Sequence, residues 1–242
     1  MIVFAQLSDT HLDLSDHRAE RMARVMDHVN SLPLDAVLIT GDIADHGEPD
    51  EYEQARKLLA SPHPVLACPG NHDVRGPYRE GLLDEPPHGG PVNRAHKIAG
   101  AVFAMCDSTV PGEDHGFMDD ETIGWLDRQL SNARDEPAFV CFHHPPVTQG
   151  IPYVDEIRQF GEERLAGVID RHPQVVAVLC GHAHTAAATT FAGRPLLTAP
   201  GVVSTLVFPR RGGDVADHGA PPGVAFHLLD DGGRLTTHFR TV

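Results

Sequence analysis

Across 242 residues the chain carries 34 acidic against 19 basic side chains, a net charge of −15, and 41% hydrophobic residues. That balance lacks the basic footprint needed to bind the phosphate backbone of long nucleic acid. It describes a solvated, soluble surface, and bound divalent cations would reverse its sign locally. No apolar run reaches the ~18 residues of a membrane span, and no basic leader precedes the first strand at Ile2, so a cytoplasmic protein without membrane partners is expected. Cys68, Cys106, Cys141 and Cys180 each lie in or beside an apolar run with no C-x-x-C spacing, as reduced core residues do.

In chain order, residues 3–7 predict a strand, and Met22, Val25, Met26 and Val29 recur at helical spacing behind a cap at Ser15 or Asp16, with Pro33 beyond. The run 36–42 reads as a buried strand ending in Gly41 and Asp42. A second helix starts near Pro49, carries Tyr52, Ala55, Leu58 and Leu59 on one face, and stops before Pro62; residues 65–68 form the next strand. Strands alternating with single helices predict a parallel sheet whose strand ends share one rim. Residues 74–97 are rich in Gly and Pro without periodicity and read as a long loop, a lid or a surface insertion. A strand at 101–106, a helix through Ile123, Leu126 and Leu130, a strand at 139–142, a Pro-containing loop at 145–160 and a strand at 175–180 follow. Beyond His184 short strands at 189–191, 195–198, 202–208, 224–229 and 235–239 predict antiparallel sheet, and 209–223 reads as a mobile loop. No linker divides the chain, so residues 1–242 are read as one domain.

Five apolar runs end in metal-ligand types: Asp9 and His11, Asp42, Asn71, His143, then His182 and His184. Asp9-x-His11 alone is weak, because the pair arises often by chance. Gly181-His182-Ala183-His184 is stronger, because alternating histidines after a buried strand have little to do for a core. In Gly70-Asn71-His72-Asp73 an amide oxygen, an imidazole and a carboxylate share one turn. Of His143 and His144 only one need be a ligand, and His143, nearer the strand, is preferred, leaving His144 facing the loop. Oxygen and nitrogen donors without thiolate suit Mn, Fe or Zn, and seven donors exceed what one tetrahedral ion accepts. Two ions sharing a carboxylate would activate a bridging water and clamp an in-line displacement, which suits phosphate esters.

The ordered blocks Asp-x-His, Gly-Asp, Gly-Asn-His-Asp, His-x-Pro and Gly-His-x-His resemble the calcineurin-like metallophosphoesterase superfamily. The resemblance implies an α/β layered sandwich of two mixed sheets flanked by helices, with a β-rich C-terminal part at 185–242. It implies that Asp9, His11, Asp42 and His184 hold one metal and Asp42, Asn71, His143 and His182 the other. His72 would stand near the leaving group, with Asn71 and His184 also facing substrate. Ser8-Asp9-Thr10-His11-Leu12, Cys106-Asp107-Ser108, Gly124-Trp125-Leu126 and His143-His144-Pro145-Pro146 are similar to the class III cyclic nucleotide phosphodiesterases and their glycerophosphodiesterase relatives, where C-terminal strands contribute to dimers. The expected activity is therefore a dimetal phosphodiesterase, with 3',5'-cyclic nucleotides as the first substrates and a homodimer as the assembly. The alternatives are a glycerophosphodiesterase, a broad phosphatase, or a non-catalytic scaffold. Arg75, Asn93, Arg94, His96 and His115 are loop candidates for substrate recognition.

Overall fold

A computed structural model describes residues 1–207 and 215–242. The chain runs through β1 (Ile2–Leu7), α1 (Asp16–Asn30), β2 (Ala36–Thr40), α2 (Pro49–Leu58), β3 (Val65–Cys68), α3 (Arg75–Leu83), β4 (Arg94–Ile98) and β5 (Ala101–Met105). It continues through β6 (Gly116–Phe117), α4 (Asp120–Asn132), β7 (Ala138–Cys141), α5 (Pro152–Glu156), β8 (Gln159–Phe160), α6 (Glu162–Arg171) and β9 (Val175–Cys180). The remaining strands are β10 (Ala187–Phe191), β11 (Arg194–Thr198), β12 (Thr205–Leu206), β13 (Ala216–Asp217), β14 (Gly223–Leu229) and β15 (Leu235–Thr241).

Two sheets stack, one ordered β15-β14-β1-β2-β3 and the other β10-β11-β9-β7-β5-β4. Phe4 and Leu38 of the first meet Phe103, Phe139 and Leu179 of the second in an apolar layer between them. Phe4 packs edge-on to Phe103 and Phe139 at 5.0 Å, and those two rings stack at 5.1 Å. The alternate residues Ala5, Leu7, Val37 and Ile39 turn outward onto Met22, Val25, Tyr52 and Tyr78, while Val140 and Val178 face Leu126, Leu165 and Ile169. Burial on both faces explains why these strands are continuous apolar runs rather than alternating ones.

The parallel pairs β1/β2, β2/β3, β5/β7 and β7/β9 carry the strand ends expected to share a rim, divided between the two sheets. The rims are tied together: His143 Nδ1 donates to the Thr40 carbonyl (2.7 Å), and Gln6 Nε2 donates to that of Cys180 (2.9 Å). The C-terminal strands are mostly antiparallel, but they extend existing sheets, with β14 beside β1 and β11 parallel to β9.

Several expectations are corrected. Residues 74–97 are not one continuous loop; they hold α3 and the edge strand β4, with an irregular stretch at 84–93 between them. Buried Tyr78 fastens α3 to Tyr52 of α2, and a Cβ on Gly81 would lie 2.4 Å from the Tyr52 Cβ, so that glycine lets the two helices approach. The loop at 145–160 contains α5 and β8, and α6 fills a stretch that carried no sequence assignment, its face marked by Leu165, Val168 and Ile169. Of the strand expected at 202–208, the described residues 202–207 are strand only at Thr205–Leu206, because the amides of Val202 and Val203 donate to Ser8 and Asp9 instead. Residues 208–214, the last residue of that expected strand and the first part of the mobile loop expected at 209–223, lie outside the described residues, and β13 follows them. No helix among the described residues is long and apolar enough to cross a membrane.

Candidate metal centre

Asp9, His11, Asp42 and His184 bring one donor atom each to a common point, and His143 and His182 meet beside them. The backbone is bent to do this: Asp9, His11, Asp42, His182 and His184 all have positive φ, between 44° and 68°. Non-glycine residues held there are strained, and such strain concentrates at functional sites. Gly41 has φ 90°, and a Cβ on it would lie 2.4 Å from His143 Nδ1, so only glycine lets β2 turn beneath His143.

Ring orientation is set by partners on the far side of each imidazole. His11 Nδ1 donates to Asp45 (2.9 Å), His143 Nδ1 to the Thr40 carbonyl (2.7 Å), and His184 Nδ1 pairs with the Ser204 hydroxyl (2.9 Å). Each therefore turns Nε2 inward, the arrangement that outer partners impose on ligating histidines. The inward nitrogens crowd: His11 Nε2 lies 3.4 Å from Asp42 Oδ2, and His143 Nε2 lies 3.3 Å from the same oxygen and 3.2 Å from His182 Nδ1. Asn71 Oδ1 and His182 Nε2 are buried without a hydrogen-bond partner among the described residues. The orphaned buried oxygen of Asn71, beside facing imidazoles and carboxylates, fits a divalent cation.

Burial raises the Asp9 carboxyl to about 6 against the pull of His143. Burial also opposes charge on Asp42, yet His143 and His11 hold its carboxyl well below the usual range. Burial works against protonating His143 too, but Asp42 beside it lifts the imidazole to about 9. His182 and His184 are pushed down by burial, His184 to about 4. The two carboxylates thus draw a proton onto one imidazole, and cation binding would displace it.

Carboxylates outside the predicted ligand set hold this arrangement. Asp73 accepts from the amides of Gly70 (2.9 Å), Ile43 (3.2 Å) and Ala44 (3.1 Å) and from the Tyr52 hydroxyl (3.1 Å), joining the Asp42 and Asn71 loops. Asp45, besides holding His11, pairs with Arg18 (2.8 Å), and its carbonyl accepts from His72 Nδ1 (2.7 Å). His72 stands outside the cluster with its ring 4.5 Å from that of His11 and its side chain 40% exposed. His144 does not face the loop as a free side chain. It is fully buried, its Nδ1 accepting from the Ser108 hydroxyl (2.8 Å) and its Nε2 donating to the Asp114 carbonyl (3.2 Å).

A cavity of about 350 Å³ opens over His11, Asp42, Asn71, His72, His182 and His184. A second, of about 510 Å³, shares Asp45, Asn71 and His72 with it and reaches Arg75. Of the loop candidates for recognition, only Arg75 lines either cavity, and it is paired with Asp107 (2.9 Å). Asn93 is used by Asp107 and Thr122, Arg94 pairs with Glu85, His96 lies on edge strand β4, and His115 packs on Phe160.

The fold is that of known dimetal enzymes. A dimetal phosphatase of Danio rerio superposes with a TM-score of 0.73 at 15% identity, over 99% of this chain and 96% of that one. Residues 2–186 match the calcineurin-like phosphoesterase family, and the chain belongs to it. Among curated relatives, the glycerophosphodiester phosphodiesterase GpdQ of Enterobacter lignolyticus is 34% identical, over 84% of this chain and 78% of that one. A cAMP/cGMP dual specificity phosphodiesterase of Mycobacterium tuberculosis is 32% identical, over 81% of this chain and 66% of that one.

Proposed function

We propose that the chain is a dimetal phosphodiesterase acting on small phosphodiesters, with 3',5'-cyclic nucleotides as the first substrate class. The observation that carries the reading is the set of inward-turned donors gathered at and beneath one cavity, with the outer ring nitrogens of His11, His143 and His184 anchored. In this reading Asp9, His11, Asp42 and His184 hold one ion. Asp42, Asn71, His143 and His182 hold the other, and the donor chemistry suits Mn, Fe or Zn. Such ions neutralise phosphoryl charge and lower the pKa of the attacking water.

The protein's own contribution is placement. Asp42 shares its carboxylate between the two donor sets, one oxygen accepting from the His72 amide (2.9 Å). Asn71 and His184 border the space where a phosphoryl group would sit. His72, whose Nδ1 is committed to the Asp45 carbonyl, keeps Nε2 as the atom that protonates the departing alkoxide. Every ligand position of the family pattern is filled, which favours an enzyme over a scaffold. A glycerophosphodiesterase is the second reading, favoured by the GpdQ relative. The proposal includes a homodimer, which sedimentation analysis would test.

Metal analysis combined with a panel of cyclic AMP, cyclic GMP, 2',3'-cyclic nucleotides, glycerophosphodiesters and monoesters tests the reading. Turnover of diesters by a two-metal protein, abolished in Asp42→Asn with loss of at least one ion, is the expected result. Preference for monoesters, or two metals and full activity in Asp42→Asn, would overturn it.

A further inference from the structure

We propose that the surface where α5 meets the β12/β13 pair is a subsite for a planar heteroaromatic ring carried on the substrate's ester arm. The proposal rests on the phosphodiesterase reading and adds what would hold the substituent. Besides the charged donor cluster, the 350 Å³ cavity is lined by the apolar side chains of Tyr153, Ile157, Leu206 and Val215, with His218 beside them. Tyr153 and Val215 are 57% and 53% exposed, two of six large hydrophobics exposed among the described residues, and both border this cavity. Exposed apolar side chains gathered at a polar cleft mark a surface that a ligand covers.

The wall is built rather than incidental. Leu206 packs on Ile151, Val154 and Ala183, and Ala183 is the residue between His182 and His184, so the apolar surface starts one residue from the metal-ligand candidates. Buried Arg21 of α1 donates to the carbonyls of Val202 (2.9 Å) and Ala220 (2.7 Å), pinning the β12/β13 segment at both ends. Arg18, which also lines the cavity, is paired with Asp45 and Asp13. Tyr153 offers an exposed aromatic face on which a planar ring stacks, and Leu206 and Val215 offer it apolar contact.

The experiment compares kcat/KM for cyclic AMP and for glycerophosphoethanolamine in the manganese-loaded protein, the Tyr153→Ala and Val215→Ser variants, and Tyr153→Phe. Removing one ring-stacking contact should cost cyclic AMP about tenfold more than the small diester, through KM, in Tyr153→Ala. Val215→Ser should move in the same direction, and Tyr153→Phe should retain the selectivity. Equal losses on both substrates, or unchanged selectivity, overturn the subsite. Should the parent protein turn over neither diester, the phosphodiesterase reading falls. Then, or if only one is turned over, calorimetric titration with adenosine 5'-monophosphate decides: weaker binding by Tyr153→Ala than by Tyr153→Phe supports the subsite, and no binding by the parent overturns it.

Discussion

The Nε2 atoms of His11 and His184 lie 3.2 Å apart, while the opposite nitrogen of each ring is committed to Asp45 and to Ser204. With each outer nitrogen carrying the ring proton, both Nε2 lone pairs would serve a shared cation. Ions that bind only the folded chain add stability, about 2.7 kcal/mol at a hundredfold excess over Kd. For a chain of this size that corresponds to roughly 5–10 °C in melting temperature. Exhaustive chelation should lower the melting temperature by about that amount and abolish hydrolysis, with Mn²⁺ restoring both. Calorimetric scans showing the same melting temperature before and after chelation would remove the case for a tightly held centre.

His143 and His144 are adjacent but sit in different environments. His143 presents Nε2 to Asp42 and His182, whereas both nitrogens of His144 are occupied by Ser108 and Asp114. His143→Ala should therefore lose a metal ion, measured by elemental analysis. His144→Ala should keep both ions but lose about 2–4 kcal/mol in urea unfolding, because it leaves a cavity and an unpaired buried hydroxyl. The opposite pattern of metal loss would exchange the two roles.

A leaving-group comparison isolates His72. If its free Nε2 protonates the departing oxygen, His72→Ala should cut hydrolysis of an alkyl diester such as cyclic AMP by about 10²- to 10⁴-fold. Bis(p-nitrophenyl) phosphate, whose nitrophenolate leaves unaided, should be affected far less, with both metals retained. An equal loss on both substrates would mean that His72 stabilises phosphoryl charge instead.

His227 supplies a pH signature away from the metal centre. Its Nε2 donates to Gln6 Oε1 (3.0 Å) and its Nδ1 accepts from the Thr237 hydroxyl (2.8 Å), so it is held neutral, and burial pushes it from 6.5 down to about 3. The unfolded chain binds the proton more readily, so this stability is complete above pH 6.5 and is lost as pH falls toward 3. Between pH 7.5 and 5 the group accounts for about 2 kcal/mol of loss. His227→Gln should be less stable at pH 7.5 yet show a pH dependence shallower by roughly that amount in denaturant titrations. Parallel curves for the two proteins would show that His227 is not held neutral.

The ligand candidates were legible because the signal is local: each follows an apolar strand, β2 and β7 being buried on both faces, so a continuous apolar run ends in a polar residue at a known rim. The order of those residues also carried the family, and Asp9, His11, Asp42 and His184 do converge. Helix α6 was missed although Leu165, Val168 and Ile169 recur at helical spacing, whereas Gly76, Pro77 and Gly81 obscured α3, which packing against Tyr52 stabilises. Tertiary structure alone decided which nitrogen each histidine presents, because Thr40 and Ser204 act on His143 and His184 across 103 and 20 residues of chain. It likewise brought Tyr153 and Val215 to the same cavity. Neither is distinguishable in sequence from an ordinary surface residue, because what marks them is proximity across folded elements rather than any spacing along the chain.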